Sequence, residues 1–252
     1  MKKLENKTVF ITGGLSSIGR ACAIAAAKEG ANIVIAEIKS FNKDKLMEGI
    51  KKENPKAIFI ECDVTKYNQV QAAIEKTVNL FGTLDIVFNN VGIIDNTDKA
   101  SEMTEKKWSE VINIDLNRVL NCMKHELVQM TKQKSGVIVN ISSIMDKDNF
   151  VSSPYYVAAK RSVSRFIQTE ALEYATQGIR INGICPGFIR APLLTDIFID
   201  GLAKAKELID LYPIKRLATA AEIAEGFIFL AGNESYFISG TTLEIDDSYL
   251  EE

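Results

Sequence analysis

Thr8-Val9-Phe10-Ile11-Thr12-Gly13-Gly14-Leu15-Ser16-Ser17-Ile18-Gly19 is the stretch that decides the fold. Its first five residues are apolar or β-branched without alternation, the pattern of a strand buried on both faces of a parallel sheet. The glycines follow at once, and the alanine-rich segment from Arg20 to Glu29 reads as a helix closed by Gly30. Strand, glycine turn and helix set a helix N-terminus where it can receive a pyrophosphate. The glycines let the turn tighten and the backbone approach phosphates. The spacing differs from G-x-G-x-x-G, and a glycine turn before a helix is also a common structural device.

Outward from this turn, Asn32-Ile33-Val34-Ile35-Ala36 predicts a second strand ending at Glu37, eighteen residues beyond Gly19. An acid at about that distance can accept hydrogen bonds from the adenosine ribose hydroxyls, which suits NAD, and would repel the 2′-phosphate of NADP. No Arg or Lys occupies the glycine turn itself, although Lys39 lies close. Further strands are predicted at about 56–61, 84–90, 136–142, 179–185 and 242–246. Helices are predicted at about 17–29, 42–53, 67–80, 104–133, 155–176 and 219–231, with shorter pieces within 193–211. This alternation predicts an α/β chain: one domain over 1–252, a doubly wound (Rossmann-type) parallel sheet of about seven strands with helices on both faces. Such sheets bind ligands beyond the carboxyl ends of their strands. Thr12, Glu37, Asp63, Asn90, Ser143 and Cys185 all fall at such ends.

The chemistry is written in Tyr156-Val157-Ala158-Ala159-Lys160, with Ser143 thirteen residues before the tyrosine. Positions i and i+4 share a helix face, so phenol and ammonium can enter one cleft. A phenol is a poor base at neutral pH, and a fixed cation beside it favours the phenolate. Ser143 closes a predicted strand, where its hydroxyl could hold a carbonyl or alcohol oxygen. Together these make general acid–base machinery for interconverting a carbonyl and a hydroxyl. Taken alone, a Tyr and a Lys four apart are common by chance.

Composition excludes several other classes. Net charge is −3, without the clustered basic face that a nucleic-acid binder needs. No stretch approaches the roughly 18 apolar residues of a membrane span, and Met1 to Lys7 leads into no signal-peptide core. A cytoplasmic location is expected. Cys22, Cys62, Cys122 and Cys185 are scattered without a CxxC, and His125 is the one histidine, so buried thiols are expected and no metal site.

With these residues on the page, the chain resembles the short-chain dehydrogenase/reductase family over nearly its whole length. Thr12 to Gly19 is similar to that family's TGxxxGIG turn, and Cys62-Asp63-Val64-Thr65 to its adenine-contacting Asp-Val step. Asn89-Asn90-Val91-Gly92 resembles NNAG, and Ser143, Tyr156 and Lys160 match the catalytic serine and YxxxK. Gly178-Ile179-Arg180-Ile181-Asn182 with Cys185-Pro186-Gly187-Phe188-Ile189 resembles the sixth strand and PG loop. Pro213 to Leu217 and Ala221 to Ala224 match two late segments. The resemblance implies catalysis by Ser143, Tyr156 and Lys160, with Lys160 also holding the nicotinamide ribose. It implies cofactor contacts at Gly13, Ser17, Ile18, Gly19, Glu37, Asp63, Val64, Asn90, Val91, Gly92, Tyr156, Lys160, Pro186 and Ile189. It implies a substrate lid at about 188–212, faced by Ile144 to Phe150. It implies assembly as a homotetramer or homodimer through the helices near 104–133 and 155–176, where Ser164, Phe166, Ile167, Leu172 and Tyr174 offer surplus apolar surface.

The departures from the family pattern are equally specific. Ser17 stands for a glycine, Val91 for the alanine of NNAG, Ala191 for a threonine, and Asp246-Asp247-Ser248 for Asp-Gly-Gly. Counting from Trp108, the family's catalytic asparagine falls at Asp115, whose main-chain carbonyl can still serve the water relay to Lys160. Asn113 and Asn117 cannot replace it, since a two-residue shift turns a helical side chain about 200° away. The expectation is an NAD(H)-dependent oxidoreductase acting on a secondary alcohol or ketone of small or medium size. The alternative is a nucleotide-binding sensor or scaffold with weak or no turnover.

Overall fold

The computed structural model describes residues 2–38, 43–90, 92, 100–146, 154–190, 206 and 209–251. Lys39, Val91, Ala191, residues 147–150 of the expected pocket wall, and residues 191–205 and 207–208 of the expected lid lie outside the described residues. Seven strands form one sheet: β1 (Thr8–Thr12), β2 (Asn32–Glu37), β3 (Ile58–Glu61), β4 (Ile86–Asn89), β5 (Gly136–Ile141), β6 (Ile179–Pro186) and β7 (Thr242–Ile245). Between them run α1 (Ser17–Lys28), α2 (Lys43–Glu53), α3 (Tyr67–Phe81), α4 (Glu105–Ile112), α5 (Arg118–Gln133), α6 (Pro154–Tyr174) and α7 (Ala220–Ala231). The strand order is β3-β2-β1-β4-β5-β6-β7, and every pair is parallel. Connectivity reverses between β1 and β4, where ligands of open α/β sheets settle.

Every residue of β1 is buried because its two side-chain faces meet two apolar layers. Val9 and Ile11, with Ile33 and Ile35, pack on Ala23 and Ala26 of α1 and Phe227 of α7. Phe10, Val34 and Ile60 face Ile74 of α3, Met123 of α5 and Ile167 of α6. The alanines let α1 approach the sheet closely, which brings its N-terminus to the ends of β1 and β4. Ser16 caps α1, its side chain accepting from Gly19 N. A reciprocal Thr219–Glu222 capping box starts α7.

The segment expected as one helix over 104–133 is three pieces. Between α4 and α5 lies a π-helical turn, Asn113–Asn117. One extra residue per turn there changes which side chains face inward. β4 also starts at Ile86 rather than 84, and just before it Asp85 Oδ2 accepts from Thr8 N at 2.9 Å.

Candidate functional site

The glycine turn is stitched to the tip of β4. Asn90 Nδ2 donates to Gly13 O and to Ser16 Oγ, each at 2.9 Å, and Asn90 N donates to Thr12 Oγ1 at 3.2 Å. Gly13 sits at φ 63°, and a Cβ on Gly19 would lie 2.3 Å from Gly13 O, so only glycine fits either position. No acid occupies the first turn of α1, and the N–H groups of Ser17 and Ile18 have no intrahelical acceptor. This cradle fits the pyrophosphate of a dinucleotide. Ser16 was missed from sequence, although a serine three residues before Gly19 is a readable N-cap signal.

Glu37 and Asp63 stand at the ends of neighbouring strands. Glu37 is half-buried and its Oε1 accepts from Ile38 N at 3.0 Å; burial pushes its carboxyl above the usual range. Burial also acts on Asp63, but bonds from Thr65 N (2.9 Å) and Thr65 Oγ1 (2.6 Å) to its Oδ1 outweigh it and hold the carboxyl low. Val64 beside it is buried.

The second cluster lies at the ends of β4, β5 and β6. Tyr156 and Lys160 are 6% and 1% exposed, and Lys160 Nζ stands 5.5 Å from the Tyr156 ring centroid. Lys160 Nζ donates to Ile141 O at 3.3 Å. Ser143 shares a side-chain hydrogen bond with Tyr156. A Cβ built on Gly92 would lie 3.0 Å from Asp115 Oδ1 and 3.1 Å from Lys160 Nζ, so Asp115, Lys160 and the Gly92 backbone meet at one point. The π-turn explains the inward aim of Asp115, which has no exposed surface. Asn117 Nδ2 instead donates to Asn113 Oδ1 at 2.7 Å, away from the cleft.

Burial is the largest influence on both titratable groups of this pair. It pushes the Tyr156 phenol well above its ordinary value; the charge of Asp115 adds to that, the Ser143 bond opposes it, and Cys185 and Asp146 add further. Burial lowers Lys160, against the carboxylates of Asp115 and Asp146. Asp146, expected on a pocket wall, is instead sunk in a network. Ser142 Oγ donates to its Oδ2 at 2.6 Å, Ser164 Oγ donates to the same oxygen, and Cys185 Sγ approaches Oδ1 at 3.8 Å. The fully buried Ile167 therefore belongs to the interior, and half-buried Ser164 turns its hydroxyl to Asp146; of the large apolar side chains on α6, Leu172 is exposed, at 81%.

Pro186 ends β6, and Ile189 pairs with Ala218, while Phe188 N donates to the buried Tyr212 Oη at 2.6 Å. The two flanks of the expected lid are thus tied together. All four cysteines are buried, and none forms a disulfide. Among the described residues no group of His, Cys, Asp and Glu could hold a metal, and no helix is long and apolar enough to cross a membrane.

A protein-family profile described as Enoyl-(Acyl carrier protein) reductase matches residues 13–249. Cyclohexanol dehydrogenase of Acinetobacter sp. (strain SE19) is 32% identical over 247 residues, covering 98% of this chain and 96% of that protein. Among solved structures, NAD+-bound xylitol dehydrogenase superposes with a TM-score of 0.92 at 26% identity, covering 97% of this chain and 99% of the other. ElxO with NADP bound superposes with a TM-score of 0.92 at 32% identity, covering 98% and 99%.

Proposed function

Because the chain belongs to the short-chain dehydrogenase/reductase family and is an oxidoreductase, we propose that it interconverts a secondary alcohol and a ketone on a small or medium organic molecule. The observation that carries this reading is the buried Tyr156 hydroxyl, bonded to Ser143 and flanked by Lys160. The similarity to a cyclohexanol dehydrogenase supports a secondary alcohol as the substrate class. A binder without turnover is not favoured, since a phenol held between a serine and a lysine has no use in mere binding.

The dinucleotide, held by the α1 turn, Glu37, Asp63, Val64, Asn90 and Gly92 with Pro186 and Ile189 alongside, would supply the hydride chemistry when bound. Ser143 holds the substrate oxygen. Tyr156 gives its proton to that oxygen in reduction and takes it in oxidation. Lys160 steadies the phenolate and holds ribose hydroxyls, and the Asp115 carbonyl feeds a proton path to the ammonium. Burial and Asp115 keep Tyr156 protonated at neutral pH, which suits reduction and calls for alkaline conditions in oxidation. We assign NAD as the preferred cofactor because Glu37 favours free ribose hydroxyls over a 2′-phosphate. We also infer one domain, and a homodimer or homotetramer built on α4, α5 and α6.

A screen of secondary alcohols with NAD+, cyclohexanol among them, and of the matching ketones with NADH, read at the reduced-nicotinamide absorbance, tests this. Absence of turnover in both directions from a folded, cofactor-binding protein would refute it.

A further inference from the structure

Arg118 is not used by the reaction as described, yet it lies at the other end of the same cleft. It opens α5 directly after the π-turn. With Thr12, Val64, Asn89, Val119 and Cys122 it lines one narrow crevice. This lining puts it at the ends of β1 and β4 and beside the step after β3, next to the strand ends that bear Glu37 and Asp63. Its positive charge acts on both of those carboxyls. The residue is half-buried, and its Nε is buried with no hydrogen-bond partner among the described residues. A buried donor without an acceptor is unfavourable, and an acceptor on a ligand would relieve it. A guanidinium, unlike an ammonium, can also lie flat against a base and fork onto a phosphate.

We propose that Arg118 is the cation of the adenosine subsite: its guanidinium meets the adenosine end of the dinucleotide between Glu37 and Asp63, and offsets their charge so that a 2′-phosphate which Glu37 alone would repel is tolerated. This rests on the reading that a dinucleotide occupies the cleft. Arg118 thereby narrows the preference for NAD that Glu37 sets, without touching the reacting atoms.

The test is binding, not turnover. Dissociation constants for NAD+ and NADP+ are measured by calorimetry on the full chain, wild type against Arg118→Met, which keeps the stem and removes the charge. Loss of one cation near a phosphate dianion should weaken NADP+ by about three- to ten-fold more than NAD+. Arg118→Lys, which keeps charge but not the planar fork, should hold the NADP+/NAD+ ratio near the wild-type value while weakening both. If the Met variant does not fold, Arg118→Gln carries the same expectation. A folded neutral variant that binds both dinucleotides as before, or weakens both equally, overturns the proposal. A folded wild type that binds neither dinucleotide overturns the cofactor reading itself.

Discussion

Two ends of one cleft set two carboxylates against one cation. The charge of Arg118 acts on Glu37 and Asp63 at the end we assign to adenosine; the charges of Asp115 and Asp146 act on Lys160 at the end we assign to chemistry. The charge pattern is the same, and burial separates the consequences. At the first end the side chains are half-open, so water screens them and their charges are felt mainly by an arriving ligand. At the second, Lys160 and Tyr156 are closed off, and the same charges act on proton affinity instead. On this reading a carboxylate near a cation acts chiefly on the ligand where water reaches it, and chiefly on a neighbour's proton affinity where water does not.

The hardest test of the closed end removes its proton carrier. Tyr156→Phe should lower kcat by about 10³-fold or more while NAD+ affinity changes less than about two-fold. Stopped turnover with intact binding, measured by steady-state kinetics and calorimetry, would keep the two ends separable. A large loss of NAD+ binding would show that they are one site energetically.

Glu126 sharpens the contrast, since it is a buried carboxyl with no cation bonded to it among the described residues. Asn89 Nδ2 donates to its Oε2 at 2.9 Å, and its Oε1 is buried without a partner there. Burial pushes it up to about 8, against the Asn89 bond. Its folded pKa exceeds the unfolded one, so its contribution to stability is present below about pH 4.5 and is lost as pH rises through about 8. Glu126→Gln should match wild type near pH 5 and exceed it by on the order of 3–5 kcal/mol near pH 9. Urea melts at both pH values measure this, and parallel stability curves would mean that Glu126 ionises in the fold without cost.

At the open end, Glu37→Gln removes one charge from the end we assign to adenosine. NADP+ affinity should rise about ten-fold relative to NAD+, the opposite direction from Arg118→Met. An unchanged ratio in direct titrations would mean that the charge of Glu37 does not act on the ligand.

How much of this was legible follows from where the partners sit in the chain. The doubly wound sheet could be read because β1 and β2 are unbroken apolar runs and the glycine turn follows β1 directly. Tyr156 and Lys160 could be paired because one helix turn joins them. The π-turn could not be read: helical spacing through Trp108, Val111 and Asp115 looks continuous whether or not a residue is inserted. The Asp146 network was hidden as well, because Ser142, Ser164 and Cys185 come from three elements. For the same reason Ser164 and Ile167 looked like free surface on a helix that turns them inward. Arg118 reads as an ordinary helix residue until the ends of β1, β3 and β4 are brought beside it.

The smallest expected effect bears most directly on the rule that burial turns charge into proton affinity. Asp115 raises the proton affinity of Tyr156, second only to burial, and it supports the ammonium of Lys160. Asp115→Asn removes the charge while keeping the main-chain carbonyl and the side-chain shape. Tyr156 then loses a destabiliser of its phenolate, so the alkaline limb of the oxidation profile should move down by about half to one pH unit. Lys160 loses support at the same time, which limits the gain because a neutral lysine no longer steadies the phenolate. Turnover at the new optimum should stay within about three-fold of wild type, since the relay carbonyl remains. The pH dependence of kcat for alcohol oxidation, recorded for both proteins, decides the matter. A limb that does not move would mean that the carboxylate holds its own proton beside Gly92, and that Asp146 alone balances Lys160. The Asp115→Asn, Asp146→Asn double variant would then leave the limb where Asp146→Asn alone puts it, whereas two acting charges would shift it in steps.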